Sequence, residues 1–509
     1  MRRRILPKIP SKPMLFPTPS TVHPEPVEGW AATPFMLRQA QHERLILQHP
    51  YGPIYKSGET PNLRVSKMFH LLRFLFFILL FLPLLPAAGW GGVAQETLPN
   101  GLRAVLVKNP GTTSVSVDLW VRAGSRFESP GINGISHFVE HLLFKGTTRR
   151  SARDISREIA AAGGSFNAYT HWEYTQFHIS ILPSHLELAL DVLSDIAQNS
   201  LMTEEMVTKE RKVILEEISL GKIYPPSYIL NLVGKTLFSE NTLEMPISGT
   251  EDSVKAIRRD DLLQFYQRKY VPHNAFLTIV GSIDGSNLLG LIRQKFGSWR
   301  GRGEPSSSPL PPVRQSQFRE VKERKFLDQA IVILALQAMG ARDTDRPSFE
   351  IINAILGSGG NSRLYQEIRG KKALSYLVGS IYHPLSDTGF WGIYVGTDPK
   401  NVPLVKSIIS KEMARIQEEP ISPGELKDIK NYIRGRTLIR NENNASLAEF
   451  VSQGVLTGQW LLPEEYLAKI QAVTADDVKR VARTYLREDQ RNLIILQPYP
   501  GLRFFRNLL

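Results

Sequence analysis

An α+β protein of two related domains is what this sequence predicts, on three observations. Strand-like and helix-like runs alternate from about Gln95 onward without the regular βαβ order that builds a parallel sheet, so antiparallel-rich sheets packed with helices are expected. A piece of text recurs: Val254-Lys255-Ala256-Ile257 followed by Asp260-Asp261 corresponds to Ile470-Gln471-Ala472-Val473 followed by Asp476-Asp477, at a constant offset of 216. Each copy then runs through a helix into an apolar strand, and a stretch at 298–316 rich in Pro, Ser and Gly separates the two. A chain of 509 residues, 42% of them hydrophobic, is too long for one compact core and too apolar to stay unfolded.

In chain order, residues 1–67 are Pro-rich and lack periodicity, and are expected to be a disordered or wrongly assigned leader. Residues 68–94 have the three parts of an export signal. Lys67, His70 and Arg73 precede an uncharged run from Phe74 to Ala88, and small residues follow at Gly91, Gly92 and Ala94. The run falls short of the roughly 20 residues of a spanning helix, and Pro83 and Pro86 interrupt it, so a retained anchor is the alternative. Met68 stands where such a signal would begin, which makes it a candidate start. An exported protein, periplasmic or secreted, is expected, touching membrane only through this segment.

The folded part is expected to hold a first domain at 95–300, a linker at 301–320 and a second domain at 321–509. Strands are predicted at 102–108, 113–122, 165–170 and 174–182 from their alternation and β-branched content. Charge is no guide to function here. Residues 1–73 carry 11 Lys/Arg against 4 Glu and no Asp, a surplus of seven that leaves +6 of the total +13 for the other 436 residues. Nucleic-acid binding loses its support with that subtraction, and no nucleic-acid motif replaces it. The absence of cysteine excludes disulfide frameworks, thiolate zinc sites and thiol nucleophiles, so a metal would need His, Asp or Glu.

Residues 131–146 provide such ligands. On a helix, His137 and His141 lie about 40° apart on one face and can converge on one ion, with Glu140 beside them. Imidazoles are ordinary zinc ligands, and a carboxylate one step away can take a proton from water. A third ligand is expected from the charged helix at 204–220. There Met206, Val207, Val213, Ile214, Ile218 and Leu220 share one apolar arc, and Glu210 and Glu217 fall inside it. A carboxylate facing a core costs several kcal/mol, on the order given for unpaired buried charge, unless it is paired or metal-bound. Both glutamates are therefore nominated, and the wheel does not choose between them.

HFVEH followed by LLFKGT, and ERKVILEEI with its last Glu 76 positions after the second histidine, resemble the inverzincin zinc peptidases of the pitrilysin, insulysin and mitochondrial processing peptidase type. The resemblance implies one Zn2+ per chain on His137, His141 and Glu217, with Glu140 as general base and Glu210 as a supporting carboxylate. It implies that GGSFNAYT at 163–170 is an edge strand whose Asn167 and Ala168 hold a peptide substrate by strand addition. It also implies that Arg369 and Tyr376, in SRLYQEIRGKKALSY, donate to the scissile carbonyl. Larger members close four such domains as a clamshell, of which this chain would supply half. The other half is expected from a second chain, as a homodimer or as a heterodimer with a metal-free paralogue. A non-catalytic scaffold or peptide-binding subunit is the alternative, although the full metal set argues against it.

Overall fold

The computed structural model describes residues 91–500 apart from 302, 304–314 and 316. The expected leader at 1–67, the apolar run of the expected signal and most of the expected linker lie outside the described residues. Gly91–Ala94, expected to be the tail of an export signal, open strand β1 (Gly91–Thr97), four residues ahead of Gln95, and β1 pairs antiparallel with β2 (Arg103–Lys108). Backbone pairing needs no particular side chain there, and that is why small residues gave no strand signal.

The first sheet also contains β3 (Val115–Val121), β4 (Ser165–Thr170), β5 (Thr175–Ile181) and β6 (Ala275–Gly281), in the order β1-β2-β6-β3-β5-β4. The second contains β7 (Arg319–Lys325), β8 (Ala330–Met339), β9 (Leu377–Pro384), β10 (Thr388–Thr397) and β11 (Asn492–Pro498), in the order β7-β11-β8-β10-β9. Without β1, the two orders are the same. In each, the last strand of the domain pairs parallel with the first, β6 with β2 and β11 with β7, and every other pairing is antiparallel. The sheets are thus mixed. Parallel pairing needs a long crossover, and the helices between first and last strand supply it.

The helices are α1 (Ile135–Leu143), α2 (Ala152–Ala161), α3 (Leu186–Asn199), α4 (Glu204–Ile223), α5 (Pro225–Leu237), α6 (Glu251–Ala256), α7 (Arg259–Lys269) and α8 (Gly285–Phe296) in the first domain. The second has α9 (Arg346–Gly357), α10 (Val402–Glu418), α11 (Pro423–Arg440), α12 (Asn444–Thr457), α13 (Pro463–Ala472) and α14 (Ala475–Tyr485), with a π-helical turn at Tyr365–Lys371. The recurring Asp-Asp text opens α7 and α14, where Asp261 and Asp477 accept from the backbone N–H groups of Arg258 and Thr474 and so cap the helix starts.

Each sheet buries both faces. Val117, Leu119, Phe177, Ile179 and Leu277 face the first domain's own helices, and Leu334, Leu336, Trp391 and Ile393 do the same in the second. The opposite faces are covered reciprocally. Val105, Trp120, Phe276 and Val280 of the first sheet pack on Leu447, Val451 and Val455 of α12. Ile333, Ala335, Ile494 and Leu496 of the second sheet pack with Ile229, Leu232, Val233 and Leu237 of α5.

Candidate metal centre

The site is built on α1, a helix buried on every side: among its nine residues only His141 is not fully buried. Polar groups enter such a helix only where something satisfies them. Its start is set by Gly134 at φ 93°, where an added Cβ would lie 2.8 Å from Gly249 Cα and 2.8 Å from the Ser248 carbonyl oxygen. Only glycine fits both the left-handed backbone and that approach. The first N–H groups are capped from a distance by Glu128, which accepts from Gly134 N at 2.7 Å, Ser136 N at 2.8 Å and Asn133 Nδ2 at 2.9 Å. Burial pushes the Glu128 carboxyl up, against the pull of these donors.

The second wall is α4, capped by Thr203, whose hydroxyl accepts from Met206 N. Its buried stripe is Val207, Glu210, Ile214 and Ile218, which is narrower than the predicted arc. Val213 and Leu220, both placed on that arc, are 39% and 47% exposed. A wheel of one helix assigns a face but not the width that its neighbours cover. Glu210 is buried and Glu217 half-buried, as carboxylates facing α1, whereas Glu205 is exposed and paired with Lys209.

Between the two helices His137, His141 and Glu217 converge, each offering one ligand atom, all within 4.8 Å of one another. Glu217 Oε2 is 3.7 Å from His137 Nε2 and 3.6 Å from His141 Nε2. Tetrahedral zinc bonds of about 2.0–2.1 Å place neighbouring ligand atoms roughly 3.3 Å apart, so small side-chain shifts would close the set around such an ion. Two imidazole nitrogens and one carboxylate oxygen are a donor set that suits zinc.

The electrostatics agree. Burial, with His141 nearby, pushes His137 well below the usual imidazole range, leaving it neutral and able to donate a lone pair. Burial and the carboxylates of Glu140 and Glu210 raise Glu217, a crowding of negative charge that a cation relieves. Burial opposes charge on His141, but its contact with Glu210 and the Glu140 and Glu217 carboxylates outweigh it and hold the ring above its ordinary value. Glu210 Oε2 lies 3.1 Å from His141 Nδ1, and Glu210 Oε1 takes Lys145 Nζ at 2.9 Å. This fixes Nε2 of His141 as the atom facing Glu217.

Glu140 projects from the same turn of α1. Its Oε2 accepts a 2.5 Å hydrogen bond from the Thr170 hydroxyl, and burial pushes its carboxyl up. Thr170 ends β4, one of the two edge strands of the first sheet as described, on which Ala168 is buried and Asn167 exposed. Asn167 accepts from Ala168 N and donates to the Tyr169 hydroxyl. Arg369 and Tyr376 are brought to each other and not to the metal set. Arg369 lies in the π-helical turn, donates to the Tyr376 carbonyl at 3.4 Å and sits over the Tyr365 and Tyr376 rings, and Tyr376 is 84% exposed.

Reading the sequence missed Glu128, Lys145 and Thr170. A signal existed only for Thr170: it shares a face of β4 with Ala168 by the two-residue period, and that face turns to α1.

The family described as insulinase, peptidase family M16, matches residues 103–251, and the M16 inactive domain matches residues 256–433. An uncharacterized zinc protease of Streptomyces coelicolor is 36% identical over 405 residues, spanning 78% of this chain and 88% of its own length. One of Bacillus subtilis is 31% identical, spanning 78% of this chain and 96% of its own. Among solved structures, a protease from Helicobacter pylori shares the fold at a TM-score of 0.77 and 23% identity, covering 81% of this chain and 100% of that one.

Proposed function

The chain belongs to peptidase family M16, and we propose that it is a zinc endopeptidase of the HxxEH type, hydrolysing unfolded peptides or small proteins. The observation that carries this reading is the convergence of His137, His141 and Glu217 on one point, with Glu140 on the same helical turn. A zinc ion held by those three residues supplies Lewis acidity toward a scissile carbonyl and acidifies adjacent water.

Glu140 takes the proton of the attacking water and returns it to the leaving amine. With Oε2 engaged by Thr170, Oε1 is the oxygen left for that work. A raised carboxyl value suits a base working near neutral pH. The outer edge of β4 offers backbone groups at Asn167 and Ala168 to an extended peptide, which would lie beside the metal set as an added strand. Arg369 and Tyr376 would serve as carbonyl donors from a second chain, identical or a metal-free paralogue. The exposure of the Tyr376 ring, with the half-buried Arg369 placed over it and over Tyr365, supports presentation outward. Export by the segment at 68–94 belongs to the same proposal.

The test is metal analysis with a quenched fluorescent peptide on the purified full chain. Glu140→Gln is expected to keep zinc and lose hydrolysis, and Glu217→Gln to lose both. An active, chelator-insensitive Glu140→Gln protein would refute the reading.

A further inference from the structure

Thr170 is the last residue of β4, and the turn that follows it does not stand free. His171 N donates to the Tyr174 carbonyl at 2.7 Å, closing the turn into β5, and Trp172 is buried in a cluster with Ile333, Leu385 and Phe390 of the second domain. The His171 ring lies 4.7 Å from that of His383, and Trp172 lies 5.8 Å from Phe390. Next to them Glu173 is almost wholly buried. Its Oε1 pairs with Arg126 Nη1 at 2.5 Å, and its Oε2 accepts from Ser386 N at 2.9 Å and Ser386 Oγ at 3.1 Å. Arg126 reaches on with Nη2 to Asp387, and its backbone N–H donates to the Trp172 carbonyl at 2.9 Å. Every polar contact of the buried Glu173 is thus made either by Arg126 or by the β9–β10 turn of the other domain.

We infer that the metal-free second domain positions the general base: through Ser386 and Asp387 it fixes Glu173, Arg126 and the β4–β5 turn, and that turn holds Thr170 against Glu140. The inference rests on the peptidase reading of the same site. Thr170 is a positioning residue, not one that touches substrate. Its single hydroxyl proton goes to Glu140 Oε2, so the carboxylate rotamer, and with it the direction of the free oxygen, depends on where β4 ends. Thr175 supports this, with its hydroxyl 3.4 Å from that of Thr170 and donating to the Ala123 carbonyl, so Thr170 has a neighbour that is itself anchored. A carboxylate held from a strand end, by the hydroxyl and the backbone of Thr170, is oriented only as well as that strand end is held.

The experiment uses the full chain loaded with zinc. Thr170→Val, which keeps shape and removes the hydroxyl, is expected to lower kcat about tenfold or more with KM and zinc content unchanged, and Thr170→Ser to restore it to within about threefold of wild type. Asp387→Asn is expected to lower kcat in the same direction. It should also speed hydrogen exchange at 165–175 in the zinc-free protein, a readout independent of activity. Wild-type kcat in Thr170→Val, or zinc lost along with kcat, overturns the positioning role. Unchanged exchange at 165–175 in Asp387→Asn overturns the link to the second domain, and because that pair is partly exposed, its loss leaves the fold intact enough to measure. Glu140→Gln run in parallel separates the two failures: if it stays active, the peptidase reading falls, and if it alone is dead, only the inference does.

Discussion

Replacing Glu210 with Gln should weaken zinc binding without touching a ligand. Glu210 uses both oxygens, Oε2 toward His141 Nδ1 and Oε1 toward Lys145 Nζ. An amide offers one acceptor and one donor. If its oxygen faces His141, its NH2 faces the ammonium of Lys145, donor against donor. If the amide flips, its NH2 faces Nδ1, which must then accept, and the ring proton moves to Nε2, the atom that Glu217 approaches at 3.6 Å. That tautomer cannot bind a metal through Nε2. The first arrangement costs the contact with the partly exposed Lys145, and the second costs the ligand tautomer on the buried His141 side of Glu210. Losses of partners behind a metal-bound histidine run to about 10–100-fold in affinity, or about 1.4–2.8 kcal/mol. Titration against a chromogenic chelator measures it, with Glu217→Gln alongside as the variant expected to lose more. Wild-type affinity in Glu210→Gln, or a loss exceeding that of Glu217→Gln, would show that Glu210 does not act through His141.

Two further outcomes follow from buried groups that are not ligands. His383 is held neutral by burial, its value lowered from 6.5 to about 4, so the unfolded chain takes up that proton first as acid is added. Its contribution is complete above about pH 6.5 and declines as pH falls toward 4, by at most about 3 kcal/mol, and His383→Phe should flatten that part of the pH dependence of Tm measured by circular dichroism. Glu128→Ala strands the N–H groups of Gly134 and Ser136 at the buried start of α1, and should lower unfolding free energy in urea by about 3 kcal/mol. A loss below about 1 kcal/mol would mean that water reaches those groups.

What sequence reading could and could not reach divides along locality. Four strands predicted from alternation were found within a residue or two of their observed ends, at Arg103–Lys108, Val115–Val121, Ser165–Thr170 and Thr175–Ile181. The juxtaposition of His137 with His141 follows from helical pitch alone, and the two inward glutamates from a hydrophobic wheel. What stayed hidden is non-local. The parallel pairing of β2 with β6 depends on where a strand some 170 residues later returns. The exposure of Val213 and Leu220 depends on how far the neighbours of α4 extend. The choice between Glu210 and Glu217 depended on the family resemblance, and in space the difference is plain: Glu217 faces both Nε2 atoms, and Glu210 stands behind one ring. Glu128 caps α1 across a loop, and Arg126 meets Asp387 over 261 positions, distances at which no motif operates.

The exchange of α5 and α12 bears on what can be separated. A fragment ended at the linker would keep its own helices, yet Val105, Trp120, Phe276 and Val280 would lie bare to water. The complementary fragment would bare Ile333, Ile494 and Leu496 in the same way. Contiguous apolar faces of that kind drive aggregation rather than independent folding. The Pro-rich stretch therefore divides the text and not the folding unit: the halves are interlocked, and the chain should melt in one cooperative transition, with the metal-free half as much a part of that cooperativity as the half that holds the ligands.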